Sequence, residues 1–332
     1  MTKAILDQVK INSALKLFSD GQLQKALDLI DTLLVDYPNE SILFNIQGAC
    51  HAQHGSLEVA VKSYEKAIFI SPDYAKAYFN LAGTLHELQD LGTSVERYKQ
   101  ALRIEPENEA ALNNLGNVYG KQGKYGEAIN YFQKALKQKS DYSPAHYNIA
   151  RAYHLVGKKE EAAESYRKAI RFNPYFEQAF YNLAYLSMEL SGFEEAIENF
   201  NKFIKMQPNH PRAHFGLGNA LMMKGQLDLA MLEYRISGKL DPTFALPYMN
   251  MASIQMQTKN ISAAIENYEI ALKIKPNLPA IHLSLGMIYY QFMNNNLKAL
   301  GYLKEALRLN PNQQGASRLK SLIVELENKQ PA

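Results

Sequence analysis

The chain has 332 residues, and its 36 Lys and Arg against 33 Asp and Glu leave a formal net charge of +3. The two signs are interleaved with no long single-sign run, which excludes the basic stripe that nucleic-acid binding needs. A lone cysteine (Cys50), no apolar run near the roughly 18 residues of a membrane helix, and a start without a signal-peptide core together lead us to expect a soluble cytoplasmic protein with no internal disulfide and no membrane contact.

Proline sets the order of the chain. Pro38, Pro72, Pro106, Pro174, Pro208, Pro242 and Pro276 stand 34 residues apart, or 68 where Ser140 takes one beat, and Pro311 arrives one residue late. A spacing held this long marks a repeat array. The units run over about 7–40, 41–74, 75–108, 109–142, 143–176, 177–210, 211–244, 245–278 and 279–313. The array is expected to fill 1–313 as one domain, with 314–332 as a capping helix and tail.

The first unit is the least regular: it keeps Ala14 and Ala26 but has Leu33 where later units have alanine, as a terminal repeat should. Unit 109–142 is the clearest. Leu112, Leu115, Val118 and Tyr119 recur at helical steps, and after a break at Gly123 so do Ala128, Ile129, Phe132, Ala135 and Leu136. Each unit therefore predicts a helical hairpin, and proline closes it because it has no N–H to continue a helix. Unit 177–210 departs most: Phe203 stands where Ala67, Ala101, Ala135, Ala169 and Ala271 stand elsewhere. A phenyl ring in a methyl's place must push the adjacent helix away or find another hole, so a changed angle between the units on either side of residue 210 is expected. Unit 279–313 carries one extra residue, assigned to a longer loop around Asn294, Asn295 and Asn296. In the tail, Leu319, Leu322, Ile323 and Leu326 share one helical face, the pattern of a cap over the last repeat.

The eighth slot reads Gly48, Ala82, Gly116, Ala150, Ala184, Gly218, Ala252 and Gly286, and the twentieth Ala60, Ser94, Ala128, Ala162, Ala196, Ala230 and Ala264. With proline at the thirty-second, the units resemble tetratricopeptide repeats. The resemblance implies an all-α fold, a right-handed superhelical α-solenoid of about nine hairpins, with first helices lining a concave groove. The groove slots it implies are the second, fifth, sixth, ninth, twelfth and thirteenth.

No phosphate loop, nucleophile elbow, HExxH or dinucleotide turn appears, so neither catalysis nor a cofactor is expected. His51 and His54 have a spacing that could share a metal but lack further ligands, and no metal is expected. His146, His214 and His282 share the fourth slot with Phe44, Tyr78 and Leu112 and read as packing residues.

The groove slots carry the functional signal. The sixth holds Asn80, Asn114, Asn148, Asn182 and Asn250, five of eight units. An amide both donates and accepts, so a row of them could hold the backbone of an extended chain without reading its sequence. The other reading is an asparagine that packs before Leu-Gly or Leu-Ala. Around the row stand Phe79, Tyr147, Tyr181 and Phe215 at the fifth slot, Arg151 and Tyr185 at the ninth, and Met222 at the twelfth. Aromatic anchors and methionines suit a protein or peptide ligand of unknown identity. The row is similar to that in the repeat arm of the nucleocytoplasmic O-linked N-acetylglucosamine transferases. Two functions follow: a non-catalytic scaffold binding an extended segment, or the recruiting arm of a transferase subunit or domain. The carboxylate clamp of chaperone-binding members is not expected, because Gln178 and Asn182 stand where its cations belong.

Overall fold

A computed structural model describes residues 3–328, among which there are nineteen α-helices and no strand. They gather into two compact units, Met1–Ala179 and Phe180–Ala332. The first holds the hairpins α1 (Lys3–Ser19) with α2 (Leu23–Asp36), α3 (Ser41–Gln53) with α4 (Leu57–Ile70), α5 (Ala75–Glu87) with α6 (Leu91–Ile104), α7 (Glu109–Lys121) with α8 (Tyr125–Gln138), and α9 (Ser143–Leu155) with α10 (Lys159–Phe172). The second holds most of α11 (Glu177–Glu189) and α12 (Phe193–Met206), then α13 (Pro211–Met223) with α14 (Leu227–Leu240), α15 (Ala245–Gln257) with α16 (Ile261–Ile274), α17 (Pro279–Gln291) with α18 (Asn296–Leu309), and α19 (Ala316–Asn328). Within each unit a hairpin packs on the next one, the stacking of an α-solenoid.

The small slots are where backbones approach. Ala14, Ala82, Ala150, Ala60, Ala128 and Ala162 are wholly buried. At the eighth slot the facing partner is a ring from the second helix of the same hairpin. A Cβ added to Gly48 would lie 2.7 Å from the Tyr64 ring, one on Gly116 2.6 Å from Phe132, and one on Gly218 2.6 Å from Tyr234. Interiors packed this closely leave no room for another methyl group. Ser94, the exception at the twentieth slot, keeps its hydroxyl satisfied by donating to the Ala82 carbonyl at 2.7 Å.

The departures are absorbed locally. Without proline at Ser140 the turn still closes, Tyr142 donating to the Lys139 carbonyl. The ring of Phe203 finds a hole of its own, with Tyr181 at 5.0 Å and His210 edge-on at 5.1 Å. The extra residue of unit 279–313 lies in the loop, where Asn294 takes a positive φ and Asn295 caps α18 by accepting from the Lys298 N–H. Leu319, Ile323 and Leu326 of α19 are buried in one core with Leu285, Ile288 and Leu303, and Leu322 is partly buried beside them.

The fourth-slot histidines do more than pack. Their Nε2 atoms lie 2.9 Å from the carbonyls of Ser140, Pro208 and Pro276, the thirty-second residue of the hairpin before. His214 also places Nδ1 2.6 Å from the Glu233 carboxylate. The ring can donate to both acceptors only as an imidazolium, so this arrangement favours the protonated form. Burial lowers its pKa, but the bonds to Glu233 and Pro208 outweigh this and the net shift is upward. His210, nearby, is shifted downward by burial and stays neutral. A raised folded pKa gives stability that is fully present below the unfolded value of about 6.5 and lost as pH rises through the folded value. Melting temperatures of the full chain and of Glu233→Gln should therefore differ most near pH 6 and converge towards pH 9; a gap that does not depend on pH would exclude this account.

Candidate protein-binding groove

In the first unit, α5, α7 and α9 bring their groove slots around one concavity of about 530 Å³. Its lining includes His86 from α5, Asn117 and Lys121 from α7, Tyr125 and Phe132 from α8, and Asn148, Arg151 and Leu155 from α9. The start of α7 is fixed by Asn108, whose side chain accepts from the Ala111 N–H, and Lys121 lies in its last turn, where a cation suits the helix dipole. Leu155 is 60% exposed at the rim, an apolar side chain that packing does not use.

Of the residues singled out in the sequence, Asn148 and Arg151 line this concavity. The asparagines are half-buried, and their amides are engaged within the scaffold. Asn80 donates to the Asn45 side chain at 2.9 Å, Asn148 to Asn113 at 3.0 Å, and Asn250 to Asn219 at 2.9 Å, each reaching from one first helix to the first helix before it. Asn114 accepts from Asn113 at 3.3 Å and is hydrogen-bonded to the Tyr98 hydroxyl. Asn182 is likewise not free. Burial pushes the phenols of Tyr98 and Tyr234 up to about 12, so both stay neutral donors. Tyr234 donates to Asn219 at 2.8 Å. The row breaks at Gly216 for a steric reason: a Cβ there would lie 2.4 Å from the Phe200 ring.

Each fifth-slot ring leans on the second helix of its own hairpin. Phe79 meets Tyr98 at 5.7 Å, Tyr147 meets Tyr166 at 5.8 Å, Tyr181 meets Phe200 at 6.3 Å and Phe215 meets Tyr234 at 5.7 Å. Each is half-buried, presenting one part to the core and the other to solvent. Tyr185 donates to the Arg212 carbonyl at 3.0 Å, so it ties α11 to α13. Met222 is half-buried and Arg151 is exposed over the Tyr147 ring. The sequence reading missed His86, Asn117, Lys121 and Tyr125. All but Tyr125 stand at the ninth, twelfth or thirteenth slot, where the search was for aromatic rings and methionines.

Cys50 is wholly buried and its thiol is pushed up to about 11 by burial, which makes it a filler and not a nucleophile. Among the described residues no group of three His, Cys, Asp or Glu could hold a metal ion, and no helix is long and apolar enough to cross a membrane.

Family models for the tetratricopeptide repeat match residues 107–173 and 181–242, and a model for the TPR repeat matches 51–89, 84–123 and 253–291. Among curated proteins, a peroxisomal targeting signal receptor from Kluyveromyces lactis is 33% identical over 75 residues, 23% of this chain and 13% of the receptor. Three solved structures share the fold. YrrB, a TPR protein with an unusual peptide-binding site, has a TM-score of 0.52 at 23% identity over 55% of this chain and 94% of its own. A tetratricopeptide repeat protein from Parabacteroides merdae has 0.51 at 22%, over 76% and 99%. PilF of Pseudomonas aeruginosa has 0.52 at 19%, over 64% and 96%.

Because the Asn113 side chain is buried and paired to Asn148, removing one partner strands a polar group. Asn148→Ala should destabilise the chain by about 0.5–2 kcal/mol, the unmet bond outweighing the gain in helix propensity. A double-mutant cycle with Asn113→Ala in urea should return a coupling of about 0.5–1.5 kcal/mol. Additive single effects would mean the bond does not join the hairpins.

Proposed function

This chain belongs to the tetratricopeptide repeat family, and we propose that it is a non-catalytic scaffold binding an extended segment of a protein partner along the first helices. One observation carries the reading: three successive first helices, α5, α7 and α9, line a concavity in which Lys121, Arg151 and Leu155 are not taken up by an ion pair or by burial. Leu155 is exposed there. Neither Lys121 nor Arg151 has a carboxylate within ion-pair distance among the described residues. A site about 530 Å³ in size accommodates a few side chains of a threaded segment. The amide rows add to it in a restricted way. Asn80, Asn148 and Asn250 each spend one N–H on the neighbouring hairpin, and an amide has a second N–H and a carbonyl with two lone pairs for a ligand backbone. Half-buried rings at the fifth slot supply rigid contact area at low entropic cost.

A photo-crosslinking residue placed at Leu155 should capture a protein from native lysate, while the same residue at Phe69, 80% exposed on the second helix α4, should not. Tyr125→Ala with Leu155→Ala should then weaken the purified pair about tenfold, the scale of a lost apolar contact of roughly 1.4 kcal/mol, with the melting temperature nearly unchanged. Equal capture at both positions, or none at Leu155, would defeat the groove reading.

A further inference from the structure

The concavity carries a pair of cations with no acid in its lining. At several other places an exposed cation does sit beside an acid: Lys168 lies 2.6 Å from Glu164, Lys202 2.6 Å from Glu198, Lys304 2.7 Å from Glu327, and Arg308 2.6 Å from Glu305. Lys121 and Arg151 have no such acid, and no Asp or Glu lines the cavity they share. They come from different first helices, α7 and α9, thirty residues apart in sequence. The same lining includes the amides of Asn117 and Asn148 and the apolar Phe132 and Leu155.

We infer that this cavity seats the carboxylate side chain of an acidic protein segment, gripped between Lys121 and Arg151. The inference rests on the groove reading and adds the chemistry of the occupant. Arg151 offers a planar fork that fits a carboxylate with two parallel hydrogen bonds, and Lys121 adds a point charge. Two amides beside them match the backbone of the same segment. His86 completes the wall without adding charge: burial and the nearby Lys121 hold its pKa below the usual value, so it is neutral at pH 7. Two charges in one pocket, in a chain of nearly balanced charge, fit one or two carboxylates and fall short of the extended basic track a nucleic acid requires. The residues also differ from the carboxylate clamp excluded in the sequence, since these cations occupy the thirteenth and ninth slots.

The test uses the full chain and two fluorescein-labelled ten-residue peptides, one rich in Glu and one with every Glu replaced by Gln. Anisotropy should show the Glu peptide binding about tenfold tighter or more, two partly exposed ion pairs being worth roughly that together, and the advantage should shrink as salt is raised. The double variant Lys121→Gln with Arg151→Gln should abolish the difference. In the wild-type chain, carbodiimide coupling of the Glu peptide should modify Lys121 ahead of the other lysines, a readout that needs no variant. Equal affinity for the two peptides, an advantage that survives the double variant, or coupling spread evenly over the lysines would overturn the inference. So would tighter binding of a phosphoserine peptide, which would make the site one for phosphate, or of single-stranded DNA. In each case capture at Leu155 would still stand for the groove, so the two readings fail separately.

Discussion

The rest of the structure depends on close approach at the small eighth slot, seen most sharply where a ring of the second helix presses on a glycine of its own first helix. Tyr64 on Gly48, Phe132 on Gly116 and Tyr234 on Gly218 leave no space for a methyl group. The last hairpin varies the theme with Leu303 against Gly286, where a Cβ would meet the leucine at 2.5 Å. Close approach sets how far apart the two helices of a hairpin lie, and so where the next first helix can seat. The groove slots of α5, α7 and α9, whose eighth residues are Ala82, Gly116 and Ala150, meet at a common cavity. A solenoid has no single large core to average out errors, so each contact must be right by itself.

The polar rows follow from the same geometry. Once first helices are brought side by side, the positions between them are half-buried, and a side chain there must either be apolar or find a partner. Asparagine meets the condition with one bond to its neighbour and groups left over. Where a ring already fills the gap, as Phe200 does, glycine replaces it at Gly216. Serine serves at Ser284, which donates back to the Ala280 carbonyl and meets the Tyr268 hydroxyl. The sixth slot is thus governed by its neighbours first, and any ligand contact is made with what remains.

Much of this was legible in the sequence because it is periodic. The proline beat, the small slots and the face of α19 are visible as repeated letters, and each corresponds to a contact made within a hairpin or with the next one. What was not legible depends on pairs with no fixed period. Nothing in the string shows that Asn148 donates to Asn113, or that Phe203 lodges between Tyr181 and His210. The histidines are an intermediate case. Their shared fourth slot pointed to packing, but their bond to the carbonyl of the preceding hairpin appears only when the chain has turned. Lys121 and Arg151 were hidden for another reason: each is unremarkable within its own unit, and only their meeting across two helices makes a charged site.

That difference bears on how binding and stability are coupled. A groove built only from the amide row would tie the two together, because Asn80, Asn148 and Asn250 each bond a neighbouring hairpin. Change there alters the scaffold as well as the contact. Lys121, Arg151 and Leu155 are free of that double duty: the first two have no ion-pair partner and the third is exposed. Substitutions at such positions change the surface without disturbing the packing of rings on glycines beneath it. The amides can therefore provide the part of recognition that every ligand backbone shares, and the unpartnered side chains the part that distinguishes one ligand from another. Specificity is a difference between affinities, so it is most freely tuned at residues whose replacement costs the fold nothing.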